Sequence, residues 1–149
     1  WQATHESDDY VIMQDYLDVV KAAGLDNVPD RNVSGAEVSV TCAYWRKANQ
    51  IHGWFVENIQ DGEDDCKEYY VSSESIIELY EVVSEVLASG SKEVAEDKLP
   101  PQSGFFFGSY EYDEWYFQNL EDTVQQLERI LSVPEDELKL WDFEYQSSW

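Results

Sequence analysis

The side chains best suited to chemistry in this chain are gathered in two short strings, Tyr44-Trp-Arg-Lys-Ala-Asn-Gln-Ile-His52 and Gln102-Ser-Gly-Phe-Phe-Phe-Gly-Ser109. The first brings a guanidinium, an amide and an imidazole close together at Arg46, Asn49 and His52. Arg46 could grip an anion such as a phosphate through its planar fork of donors. Asn49 could hydrogen-bond a ligand, and His52 supplies the side chain most often used as a general acid or base. Each has a plainer reading. Arg46 and Lys47, the only adjacent basic pair, could bridge to nearby carboxylates, Asn49 could bond a neighbouring loop, and His52 could sit neutral inside the core. In the second string Gly104 and Gly108 bracket Phe105, Phe106 and Phe107 ahead of a helix start. Such a loop can cradle an anion. Its spacing is neither a Walker nor a dinucleotide fingerprint, however, and an acidic first turn would repel phosphate. The phenylalanines then either plug the core or offer an aromatic platform.

Taken together, Trp45, Arg46, Asn49, His52, Phe105, Phe106 and Phe107 define one functional reading: a small-molecule or nucleotide-binding pocket, with an enzymatic site as one version of it. No catalytic residue can be named within it. The nucleophile-elbow, Cys–His and kinase signatures are all missing. Cys42 and Cys66 have no zinc-like spacing to each other or to His5 and His52, and read as reduced thiols. The Asp61-Gly-Glu-Asp-Asp65 loop lacks the ligand order of an EF-hand and reads as a solvated turn. No metal and no cofactor are expected.

The elements that must hold these residues follow from periodicity. Residues 1–36 are poorly patterned, with one helix conceivable from Tyr10 to Ala23 and ended by Gly24. Val38, Val40 and Cys42 alternate with polar residues as in a half-buried strand. A helix is expected from about Ala43 to Gln60, where steps of about 100° put Trp45, Ile51, His52, Phe55 and Ile59 on one face. Arg46, Gln50, Gly53 and Glu57 fall opposite, and Trp54 lies off the apolar face. Ser72 or Ser73 caps a second helix, about Glu74 to Ala88, with Ser89-Gly90 as its stop. Further helical turns are expected before Pro100-Pro101, then a helix from about Tyr110 to Leu131 capped by Ser109, and one turn after Pro134. Trp141, Phe143 and Tyr145 alternate as a strand. The expected fold is α+β: a mainly helical single domain over residues 37–149, its small sheet pairing residues 37–43 with 140–146.

Charge is the outlier. The 149 residues hold 32 acidic against 9 basic side chains, a formal net charge of −23. That field disfavours direct binding to nucleic acid or anionic membrane and favours a basic partner. A solvated coat or adaptation to salt would give the same composition. No run approaches the roughly 20 apolar residues of a membrane span, and no secretion signal opens the chain.

The strings Tyr44-Trp-Arg-Lys-Ala-Asn-x-Ile-His-x-Trp-Phe-Val56, Gly62-Glu-Asp-x-Cys66, Glu68-Tyr-Tyr-Val-Ser72, Gln102-Ser-Gly-Phe-Phe-Phe-Gly-Ser109, Tyr112-Asp-Glu-Trp-Tyr116 and Trp141-Asp-Phe-x-Tyr-Gln-Ser-Ser-Trp149 resemble a family of small acidic bacteriophage and prophage proteins of unassigned function. The resemblance covers about residues 37–149 and implies a phage-type origin and a shared fold, with no catalytic residue to carry over. The leading expectation is a non-enzymatic anti-defence or accessory protein in the host bacterial cytoplasm. It would bind a basic host protein, itself nucleic-acid-binding, through Asp61, Glu63, Asp64, Asp65, Glu111, Asp113 and Glu114. The pocket reading stands beside it. A third is a virion component with exposed Trp54 and Trp115 as a contact patch.

Overall fold

The computed structural model describes residues 18, 21–22, 24, 39–102, 111–139 and 141–148. The chain divides into two units, Trp1–Val40 and Thr41–Trp149. In the first, Asp18, Lys21 and Ala22 are helical, and Gly24 turns at φ +71° with its N–H donating to the Lys21 carbonyl at 3.0 Å. The remainder of the helix expected from Tyr10 lies outside the described residues.

The second unit is a mainly helical α+β domain with a small sheet, as the periodicity implies. In chain order it runs α1 (Asn49–Asn58), β1 (Glu68–Val71), α2 (Ser73–Ser89), α3 (Lys92–Lys98), α4 (Glu114–Leu131), α5 (Glu135–Leu138) and β2 (Phe143–Gln146). β1 and β2 pair antiparallel, Glu68 opposite Gln146 and Val71 opposite Phe143. The C-terminal strand is where the alternation placed it, but its partner is not residues 37–43. Residues 39–43 are irregular, and Val40 is 61% exposed. Alternation makes a strand only where one face has a core to meet. Val71 is buried on that side and Val40 is not.

α1 also departs from expectation, beginning at Asn49 and not Ala43. The residues before it form an arm fastened to α4. The Tyr44 N–H donates to Gln126 Oε1 at 2.6 Å, and Trp45 Nε1 donates to Thr123 Oγ1 at 2.9 Å. Lys47, at φ +61°, makes the left-handed turn from arm to helix. That conformation costs a residue with a Cβ about 1 kcal/mol or more, so the arm's contacts must hold it.

The helix that follows is enclosed nearly all round. Asn49, Gln50, Ile51, His52, Trp54, Phe55 and Val56 are all buried. Trp54, expected outside, is 8% exposed, and Gln50, expected on the solvent side, is 1% exposed. Gln50 is accommodated because Nε2 donates to the Tyr116 carbonyl at 3.3 Å. Gly53 leaves room for Gln102, whose Cβ and Oε1 would lie 3.2 Å from any Cβ added there.

Caps fix the other helices. Ser72 Oγ accepts the Ser75 N–H at 3.0 Å, Ser91 caps α3, and Gly90 at φ +56° ends α2. α4 starts later than expected: Asp113, placed by sequence in the first turn, is its N-cap and accepts the Tyr116 N–H at 3.0 Å. Ser109 and Tyr110 lie outside the described residues. α2 packs against α4, with Ile51, Leu79, Val83, Val86, Leu120 and Leu127 at the centre of the core. Among the described residues no helix is long and apolar enough to cross a membrane.

Tyr116 ties this core together, donating its phenol proton to the Leu99 carbonyl at 2.8 Å. Replacing it, Tyr116→Phe, deprives that carbonyl of its donor and should cost about 1–2 kcal/mol. Urea unfolding measures this; an unchanged midpoint would contradict the assignment.

Candidate functional site

The residues singled out by sequence separate into two places. His52 looks inward, 7% exposed. Its Nε2 lies 3.0 Å from Asp64 Oδ1 and its Nδ1 lies 2.7 Å from the Tyr145 hydroxyl. A carboxylate oxygen only accepts, so this geometry suits His52 Nε2 donating to Asp64, and in that tautomer Nδ1 accepts from the Tyr145 phenol. The Tyr145 ring stacks on Phe55 at 3.9 Å between centroids, tilted by only 5°. Carboxylate, imidazole and phenol thus form a line from the 61–65 loop through α1 to β2. Such a line could relay a proton. Here burial, with the Asp64 carboxylate adding to it, holds the Tyr145 phenol well above the usual tyrosine range. The phenol is therefore a hydrogen-bond donor and a poor nucleophile. The line acts as a clamp joining loop, helix and strand.

Arg46 is elsewhere. It lines an open cleft of about 430 Å³ between the 44–46 arm and α4, with Tyr44, Trp45, Asp122, Gln126 and Arg129. Spacings of three and four residues put Asn119, Asp122, Gln126 and Arg129 on one flank of α4. Asn49 is 2% exposed and does not line this cleft. The pocket expected from sequence is thus divided: Trp45 and Arg46 border the cleft while His52 and Asn49 are interior. Phe105, Phe106 and Phe107 lie outside the described residues.

The seven carboxylates proposed for partner binding differ in how they are used. Asp61, Glu63, Glu111 and Glu114 are exposed. Asp64 is engaged by His52, and Asp113 caps α4. Asp65 meets Lys67 Nζ at 2.6 Å and also accepts the Lys67 N–H, which holds its carboxyl below the usual range. Sequence reasoning missed a more regular set on α2. Glu74, Glu78, Glu81 and Glu85 are all exposed. At about 100° per residue they fall within a sector of roughly 60°, directly opposite Leu79 and Val83. Their 4-3-4 spacing was the available signal. Only Glu85 of the four is in an ion pair among the described residues, with Lys98 at 3.2 Å.

Trp115 is 75% exposed, whereas Trp54 is interior, so the two do not form the surface patch the third reading needs. Cys42 and Cys66 are unlinked and exposed. Among the described residues no three His, Cys, Asp or Glu side chains are grouped to hold a metal. A scan against protein-family models, a search of curated proteins and a search of solved structures each returned no match.

Two outcomes follow from the clamp. His52→Ala should cost about 2–4 kcal/mol, because it opens a cavity and leaves two polar partners unmet; chemical denaturation checks this, and a loss under about 0.5 kcal/mol would remove the clamp. Alkaline stability is the second. Tyr116 and Tyr145, both raised by burial, keep their protons in the folded state after the unfolded chain begins to release them near pH 10. The unfolded state then binds fewer protons, so this stabilisation is complete below about pH 10 and declines as pH rises further. Melting temperature against pH, with tyrosinate absorbance followed alongside, should show these two phenols ionising only with unfolding.

Proposed function

We propose that this chain is a phage-type accessory protein of the host cytoplasm, a non-enzymatic acidic binder that inhibits or modulates a basic host protein, itself a nucleic-acid-binding or defence component. The observation that supports this most is the carboxylate sector on α2. Like charges at such spacings destabilise a helix by about 0.2–0.5 kcal/mol per pair. Three successive pairs, Glu74–Glu78, Glu78–Glu81 and Glu81–Glu85, carry that penalty on a face that contributes nothing to the core. A basic partner converts the penalty into attraction, steering encounter and fixing register.

The spacing of the array bears on the kind of partner. Eleven residues of helix rise about 16 Å, so four charges are spread more thinly than the one phosphate per about 3.4 Å of a DNA strand. A partner that reads a row of separated carboxylates, such as a basic helix or a lysine-lined groove, fits this better than one demanding the density of a duplex. The phage assignment rests on the resemblance of the aromatic and basic strings.

Immobilised protein should capture a basic protein from host lysate at about 0.15 M salt and release it towards about 1 M, where screening reaches within about 3 Å. Where the partner is a nucleic-acid-binding protein, added duplex DNA should compete for it. Capture that survives high salt would overturn this reading, and competition by DNA separates a nucleic-acid-binding partner from another basic one.

A further inference from the structure

The cleft beside α4 is chemically at odds with the rest of the molecule. The chain has three arginines, at positions 31, 46 and 129, and two of them line this one cleft. Among the described residues neither Arg46 nor Arg129 is in an ion pair, although Lys67, Lys98 and Lys139 each hold a carboxylate. In a chain with 32 acidic side chains, two guanidinium groups outside any ion pair share one concave surface with a single carboxylate, Asp122. Arg129 has a local reason to be there, since it suits the negative end of α4. Arg46 has none: it precedes its helix and projects from an arm.

That arm is built, not draped. The bond from the Tyr44 N–H to Gln126 holds the backbone that carries the Tyr44 side chain, and the bond from Trp45 Nε1 to Thr123 holds the neighbouring indole. Thr123 is itself held by donating to the Asn119 carbonyl at 2.6 Å. The Tyr44 ring is 70% exposed on this fixed backbone, a flat face available for stacking. Asp122 lies on the same wall, its Oδ1 accepting from Gln118 Nε2 at 3.3 Å; it would repel a second anionic group, but a carboxylate can also accept from hydroxyls. A volume of about 430 Å³ suits a ligand of drug or nucleotide size.

We propose that this cleft binds a nucleoside 5′-monophosphate. The phosphate lies between Arg46 and Arg129, whose planar forks match its oxygens. The base stacks on Tyr44. The ribose hydroxyls donate to Asp122, as acidic residues accept from ribose in dinucleotide sites. The overall negative field does not forbid this. Screening confines it to about 8 Å at physiological salt, and within the cleft lining two cationic groups stand against one carboxylate, Asp122. This inference is independent of the acidic binding face on α2, and either can fail without the other.

The test is titration of the full chain with AMP, GMP, CMP and UMP, followed by amide and side-chain resonances of Tyr44, Gln126 and Arg129, with inorganic phosphate and adenosine as controls. At least one monophosphate should bind saturably and shift those resonances. Arg46→Gln and Arg129→Gln, both at exposed positions, should each weaken it by about tenfold or more. Asp122→Asn should strengthen inorganic phosphate while weakening the nucleotide, and circular dichroism establishes that each variant is folded. Absence of saturable binding at millimolar nucleotide overturns the proposal. So does binding that both arginine variants leave unchanged, or inorganic phosphate binding as tightly as every monophosphate.

Discussion

Self-repulsion is the constraint to which every part of this domain answers. A formal charge of −23 pushes the chain apart, and only a dense apolar and aromatic interior can oppose it. The structure meets this by burying one helix almost completely. α1 is enclosed by the elements around it, so that Ile51, Phe55 and Val56 face apolar neighbours while Gln50 and His52 find internal partners. The acids are displaced to the outer faces of α2 and α4, where water screens them. Glu114, Glu121 and Glu128 recur every seven residues along α4 and are all exposed.

Within that arrangement, polar groups near the core are used as ties. Tyr116 fastens α4 to the Leu99 carbonyl at the end of α3, Gln50 reaches the Tyr116 carbonyl, and the His52 clamp holds β2 against α1. A two-stranded sheet is marginal by itself. Here Tyr145 carries it, stacked on Phe55 and bonded to the buried imidazole. The sheet persists because one of its side chains belongs to the core. The aromatic strings are therefore dense for a structural reason at Trp45, His52 and Phe55, whereas Tyr44 and Arg46 point outward from the arm whose Trp45 packs against the core.

How much of this was legible from sequence depended on whether local signals decide the outcome. α2 was readable because Ser72 caps it, Gly90 stops it and its apolar positions repeat with helical period. β2 was readable from strict alternation. The start of α1 was not, since the competing force is long-range: residues on α4, some eighty positions away, draw Tyr44 and Trp45 off the helix. The partner of β2 failed for the same reason, alternation being silent about which strand has a core beneath it. At the site, His52 was found but its partners were not, because Asp64 and Tyr145 meet it only in three dimensions. The carboxylate row on α2 was present in the 4-3-4 spacing, yet obscured by the abundance of acids everywhere else.

The proposed binding face makes one demand, that the α2 carboxylates favour recognition at the expense of stability. The direct measurement is paired: unfolding free energy and partner affinity for a variant with Glu74, Glu78, Glu81 and Glu85 all changed to Gln. The account requires the variant to be more stable than the wild type by up to about 1 kcal/mol and to lose the salt-sensitive partner. Unchanged affinity would contradict it and leave that row as a solvated coat.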